Sequence, residues 1–279
     1  MRIAYGSLVI EMNGLEALGG EFSRTLYSFA TKRAKHVSVV AQYRGHQDCF
    51  DRQRPLSVEV DGASSTVRVD SPYWDAEFDL GTGRVCVRFG RLWAPAVDQF
   101  LKTVAQLYAS RTCGAVLLHS AAIVIEGQAV LFTAPSGKGK STLAKISAGA
   151  GYRILTEEMA FVGGLGLDEV PRVLSLPVRE RNSLQVRERI DLPLGAIYSL
   201  QWSGDDRVAE LPKSRQLPIV LGAICVGLRH PYVVRPVLAL AAALVEKVPV
   251  RVLYFRQMPT FLKLVCSQLG LPAAVQETI

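Results

Sequence analysis

Residues 129–146 read AVLFTAPSGKGKSTLAKI. An apolar run ends at Thr133, a loop of small residues and lysines follows, and a helix-forming segment begins near Lys140. Ala134 to Ser141, A-P-S-G-K-G-K-S, has the spacing of a phosphate-binding loop, G-x-x-x-x-G-K-S, with alanine in place of the first glycine. A bare Gly-Lys-Ser triplet would read as a surface turn capping a helix. The strand signal before this one and the helix signal after it favour a nucleotide site.

The residue types fit the chemistry. Such a loop aims backbone N–H groups at phosphate oxygens, and the helix behind it adds roughly half a positive charge. Gly137 and Gly139 permit close approach and positive φ. Lys140 is placed to reach the β- and γ-phosphates of ATP, and Ser141 to offer its hydroxyl to Mg²⁺. The expected nucleotide contacts are Ser136, Gly137, Lys138, Gly139, Lys140, Ser141 and Thr142, with Ser141 also a metal ligand.

Outward from the loop, AVLLHSAAIVIEG and QAVLFTAP read as adjacent strands separated by Glu126-Gly127-Gln128. KSTLAKISAGAG reads as a helix closed by glycines, and YRILTEEMAFVGG as a further strand carrying two acids. Before residue 110 the chain reads mainly as strands: HVSVVAQYR, PLSVEVDG, STVRVDS and GRVCVRFGRLW, the last with Val85, Val87 and Phe89 on one face. EFSRTLYSFATK reads as a helix, and Ala94 to Arg111 has helical apolar spacing. Trp74 and Trp93 read as packing residues. The apolar run Leu217 to Leu228 is far short of the roughly 20 residues of a membrane span, so it reads as a buried strand. PVRVLYF reads as an edge strand and PTFLKLVCSQLG as a closing helix. The fold class expected is α/β, with a strand-rich N-terminal domain over 1–110 and a phosphate-loop domain over 111–279.

Composition narrows the function classes. The five cysteines are scattered without a CxxC pair, and with four dispersed histidines they draw no zinc site. Reduced core thiols and no secretory signal point to a cytoplasmic protein. Of the net charge of +7, residues 1–110 carry 13 basic against 12 acidic side chains, and 111–279 carry 19 against 13. The half with the loop is therefore the basic half. That favours anionic ligands such as nucleotides and acidic partners, without indicating nucleic acid. No membrane partner is expected, and homo-oligomerisation is left open.

His119 lies 21 residues before Lys140, on the strand ahead of the loop, and Glu157 and Glu158 lie 17 and 18 residues after it. This arrangement resembles the HPr kinase/phosphorylase family, which has a His-Gly strand, a Gly-x-Ser-Gly-x-Gly-Lys-Ser loop and a strand ending in Asp-Asp. The likeness covers about residues 114–165. Ser120 replaces the glycine after the histidine, Glu157-Glu158 replaces Asp-Asp, and the family's Arg-Gly segment is not recognisable in VPRVLSLPVRERNSLQVRERI. The resemblance implies an ATP-dependent serine kinase that uses Mg²⁺ and phosphorylates a small protein or precursor peptide, as lasso-peptide tailoring kinases do. It implies Glu157 as base, Glu158 as metal ligand, Lys140 on the transferred phosphoryl group and His119 near the acceptor or an acid. The bland readings are a core histidine and a solvated acid pair. A small-molecule kinase, a nucleotidyltransferase and a non-catalytic nucleotide-binding regulator stay open as alternatives. The charged run Arg179, Glu180, Arg181, Arg187, Glu188, Arg189 reads as a solvated face, or as a contact for phosphate or an acidic peptide.

Overall fold

A computed structural model describes residues 2–6, 8–13, 30–43, 57–60, 65–90, 94–166, 168–176, 190–224 and 231–271. The protein is mixed α/β with two sheets. It divides into two compact units: 1–113 with 176–179 and 226–237, and 114–175 with 180–225 and 238–279.

The first unit is a seven-stranded sheet of β1 (Arg2–Tyr5), β2 (Leu8–Asn13), β3 (Val37–Tyr43), β4 (Ser57–Val60), β5 (Thr66–Asp70), β6 (Trp74–Asp79) and β7 (Arg84–Phe89). The spatial order is β1-β2-β3-β7-β6-β5-β4. The period-two pattern of GRVCVRF is realised: Val85, Val87 and Phe89 are buried, whereas Arg84, Cys86 and Arg88 are exposed. Helix α1 (Ala94–Thr112) supplies Phe100, whose ring lies 5.4 Å from Trp74 and 5.6 Å from Phe89, both edge-on. Trp74 is thus a fully buried packing residue, as its context suggests. The helix expected over 21–32 lies mostly outside the described residues, as do Trp93, Cys49 and Cys225; Ala30 makes an isolated bridge to Ile3.

The second unit holds β8 (Val116–Ile125), β9 (Gln128–Thr133), β10 (Arg153–Thr156), β11 (Met159–Gly163), β12 (Arg172–Leu174), β13 (Asp191–Trp202), β14 (Arg207–Glu210) and β15 (Val250–Phe255). The helices are α2 (Lys140–Gly149), α3 (Lys213–Ala223), α4 (Pro231–Lys247), which the unit boundary crosses, and α5 (Phe261–Gln268). β8 and β9 form the expected hairpin around Glu126-Gly127, and β9 then runs parallel to β13, as β13 does to β15. One face of this sheet packs Phe132, Tyr198, Leu200, Leu253 and Phe255 against Leu143 and Ala144 of α2 and Phe261, Leu262 and Val265 of α5.

Two local expectations are corrected. Leu217 to Ala223, the first part of the run to Leu228, is not a buried strand: it lies in α3, which buries Gln216, Val220 and Ala223 at helical spacing, and residues 225–228 lie outside the described residues. A short unbroken apolar run carries no period to separate the two states, and Pro218 is tolerated within this helix. β15 is not an edge strand, because β14 pairs along its outer side.

Candidate functional site

β9 ends at Thr133 and α2 starts at Lys140, so residues 134–139 form a loop at the C-terminal end of a parallel strand. Ala134 is buried against the sheet core and has no left-handed φ, so alanine suits the first motif position. The turn is held by Lys138 N donating to Pro135 O at 3.2 Å. Gly137 and Gly139 have φ of 77° and 103°, where an L side chain is strained. Gly139 has a second constraint. A Cβ there would lie 2.7 Å from Cζ2 of Trp202 and 3.2 Å from Cζ of Phe255.

Gly139 is also the N-cap of α2. It brings no side-chain cap, and the first turn, Lys140-Ser141-Thr142-Leu143, contains no acid. The helix's own first turn therefore puts no carboxylate on its positive end, which faces the loop. Lys140 is buried, and its Nζ donates to the carbonyls of Ala134 at 2.7 Å and Pro135 at 3.4 Å. The ammonium is thus folded into the turn that precedes it. Ser136, Gly137, Lys138 and Ser141 are exposed, and Thr142 is half-buried.

The segment YRILTEEMAFVGG runs along β8 as two strands rather than one. The register slips between Ile154 and Thr156, and the ladder is interrupted at Glu157-Glu158. The Thr156 hydroxyl accepts from the N–H groups of Glu158 at 3.3 Å and Met159 at 3.2 Å, which fixes the break as a turn. Glu157 is buried and Glu158 half-buried, so the two acids occupy different environments.

β8 connects this turn to the loop. Ser120 pairs with Thr133 on one side, and its N–H donates to Glu158 O at 3.1 Å on the other. His119, half-buried, pairs with Met159, and its carbonyl accepts from the Thr133 hydroxyl at 3.2 Å. Neighbouring strands lie about 4.8 Å apart, which puts the Glu158 backbone about 10 Å from that of Thr133. His119, Glu157-Glu158 and the start of the glycine loop therefore lie side by side where β9 ends, level with the middle of β8 and with the break between β10 and β11. The arginines from 179 to 189 lie outside the described residues.

Among the described residues no three His, Cys, Asp or Glu side chains cluster as a metal cage. Mg²⁺ is commonly held by one or two protein oxygens with phosphate and water completing its shell. An exposed Ser141 hydroxyl and a carboxylate of the nearby turn suit that kind of site.

Trp202 was not expected here. It ends β13, whose register with β9 is Ser199 to Thr133, so β13 runs three residues past the end of β9. Its ring stacks on Phe255 with centroids 4.5 Å apart, and Trp202 is 40% exposed. No protein-family model and no curated protein matches this chain.

Proposed function

We propose that residues 134–141 bind the phosphates of ATP and that the protein is an ATP-dependent kinase acting on a hydroxyl of a small protein or peptide. The observation that carries this reading is the glycine loop itself. It lies between a parallel strand end and a helix without a side-chain cap, with Lys140 folded into it and the Glu157-Glu158 turn level with the end of β9, one strand across.

In this reading the loop N–H groups and the start of α2 hold the phosphate oxygens, and Lys140 leaves the Ala134 carbonyl to bind them. Ser141 and Glu158 would hold Mg²⁺, which when bound would neutralise charge on the phosphates. The bond from the γ-phosphorus to its bridging oxygen breaks, ADP leaves, and the acceptor oxygen bonds to phosphorus. The acceptor proton passes to Glu157, whose burial shields it from competing water. His119 supports the acceptor side from the neighbouring strand. The basic excess of 111–279 favours an acidic acceptor, with serine the hydroxyl suggested by the family resemblance.

The test is transfer of label from γ-labelled ATP to an array of serine-containing peptides that includes acidic members. Label on peptide is the expected result. Label on a small metabolite or transfer of a nucleotidyl group would replace the acceptor class, and binding of ATP without turnover would make the protein a nucleotide-responsive regulator.

A further inference from the structure

Trp202 is the one aromatic side chain among the large exposed hydrophobic residues described, and its position against the glycine loop is unusual for a residue that serves only packing. One face of the indole is stacked on Phe255. The edge bearing Cζ2 and Cε2 lies against Gly139, close enough that no side chain is tolerated there. A packing role would be met by full burial; instead, two-fifths of the residue is left in water.

The surroundings hold the ring in place. Trp202 and Phe255 are register partners at the ends of parallel strands, and Ser203 N donates to Phe255 O at 3.1 Å. The segment after β15 is pinned by Asp206, which accepts from Arg256 N at 2.7 Å and from the Thr260 hydroxyl. Arg207, the next strand's first residue, lies over the ring of Tyr254, 3.6 Å from its centroid. The indole is thus a fixed, flat, apolar surface one residue from the helix end that would bind phosphate. Crevices at the carboxyl ends of parallel strands are where such ligands lie in open α/β sheets.

We propose that the exposed part of Trp202 is the stacking platform for the base of a nucleoside triphosphate whose phosphates occupy the Ala134–Ser141 loop. The proposal rests on the reading of that loop as a nucleotide site. It adds a prediction that the loop alone does not make: affinity depends on the base as well as on the phosphates. Stacking needs only a π-face, so any base gains from it, and a purine, with the larger ring area, gains most.

The experiment is calorimetric titration of the full chain with Mg·ATP and with Mg·tripolyphosphate, for the wild type, Trp202→Leu, Trp202→Phe and Lys140→Ala. Circular dichroism confirms that each variant is folded. Trp202→Leu keeps an apolar cover on Phe255. It is expected to weaken ATP about 5- to 150-fold while changing tripolyphosphate less than about twofold. Trp202→Phe is expected to fall between it and the wild type, and Lys140→Ala to weaken both ligands. Equal loss of both ligands in Trp202→Leu would reduce Trp202 to a prop for the loop and overturn the platform. So would unchanged ATP affinity in Trp202→Leu, or a wild type that binds tripolyphosphate as tightly as ATP. A wild type that binds neither ligand would overturn the nucleotide reading itself.

Discussion

The Lys140 ammonium donates to the Ala134 carbonyl at 2.7 Å, so the two ends of the glycine loop are tied by the side chain that the motif reserves for phosphate. Read as sequence, Lys140 matters only when a ligand is present. The structure gives it a second task, since both the ammonium and Ala134 are buried and the carbonyl needs its donor. Lys140→Ala is therefore expected to cost about 1–3 kcal/mol of stability without ligand, the cost of an orphaned buried acceptor. It should also weaken Mg·ATP by about 10- to 150-fold, the range for a hydrogen bond to a charged group. Denaturant unfolding reads the first effect and calorimetry the second. Wild-type stability would remove the bracing role, and wild-type affinity the ligand role.

Gly139 carries two separable penalties for any larger residue. Its φ of 103° is strained for an L residue, and a Cβ would overlap the Trp202 ring at 2.7 Å. Gly139→Ala is expected to destabilise the second unit by about 2 kcal/mol or more, part from the dihedral and part from the overlap. A double-mutant cycle with Trp202→Ala separates them. The overlap with the indole should disappear in the double mutant, while the dihedral cost and the closer approach to Phe255 at 3.2 Å should remain. Strictly additive effects in denaturant unfolding would mean that the ring yields freely.

How much of this was legible follows from the kind of signal each element carries. Strands with one buried face, such as β7, are written in the alternation of Val85, Val87 and Phe89, and α1 in its helical spacing. The glycine loop is written in residue types, because φ of 77° and 103° select glycine. The break at Glu157-Glu158 was only half legible. Thr156 is the residue whose hydroxyl makes the turn, and a threonine at the end of an apolar run has many other uses.

Trp202 was not legible as a site residue, since what places it is the register of β13 beside β9. That register joins residues far apart in the chain, and β13 itself was not singled out, because proline and glycine interrupt DLPLGAIYSLQW. Likewise the edge position expected for β15 failed because β14, only four residues long, covers it. Short pairing strands leave little pattern to read.

The turn between β6 and β7 predicts an acid transition in the first unit. The Asp79 carboxylate accepts from the Thr82 hydroxyl at 2.6 Å, Thr82 N at 3.1 Å, the Ser65 hydroxyl at 3.0 Å and Gly81 N at 2.9 Å. These bonds, those from Thr82 foremost, hold its pKa down to about 2. A carboxyl whose pKa is lower folded than unfolded stabilises the fold above its unfolded value, about 3.9, and loses that contribution as pH falls through its folded value. Stability measured by denaturant should therefore fall between about pH 4 and pH 2, and Asp79→Asn should be less stable at neutral pH with a flatter profile across that window. A profile unchanged by the substitution would show that other carboxyls govern the transition.

The acid pair offers the sharpest test of the proposed chemistry, because its members differ in burial while sharing one turn. Glutamine preserves shape and hydrogen-bonding reach but removes the charge, so neither substitution should disturb the Thr156 turn, which is made through backbone N–H groups. If Glu157 takes the acceptor proton, Glu157→Gln should lower the transfer rate by about 100-fold or more, the range for a positioned base, with ATP affinity little changed. If Glu158 holds Mg²⁺, Glu158→Gln should leave the maximal rate closer to wild type but raise the Mg²⁺ concentration needed to reach half of it by about tenfold or more. The two effects are read from one set of initial rates at varied Mg²⁺ with γ-labelled ATP. An exchange of the two patterns would exchange the roles, with Glu158 the base and Glu157 the metal ligand. Full activity in both variants would detach the pair from the chemistry altogether. The base would then be sought elsewhere, beginning with His119, one strand from the loop, whose carbonyl accepts from the Thr133 hydroxyl.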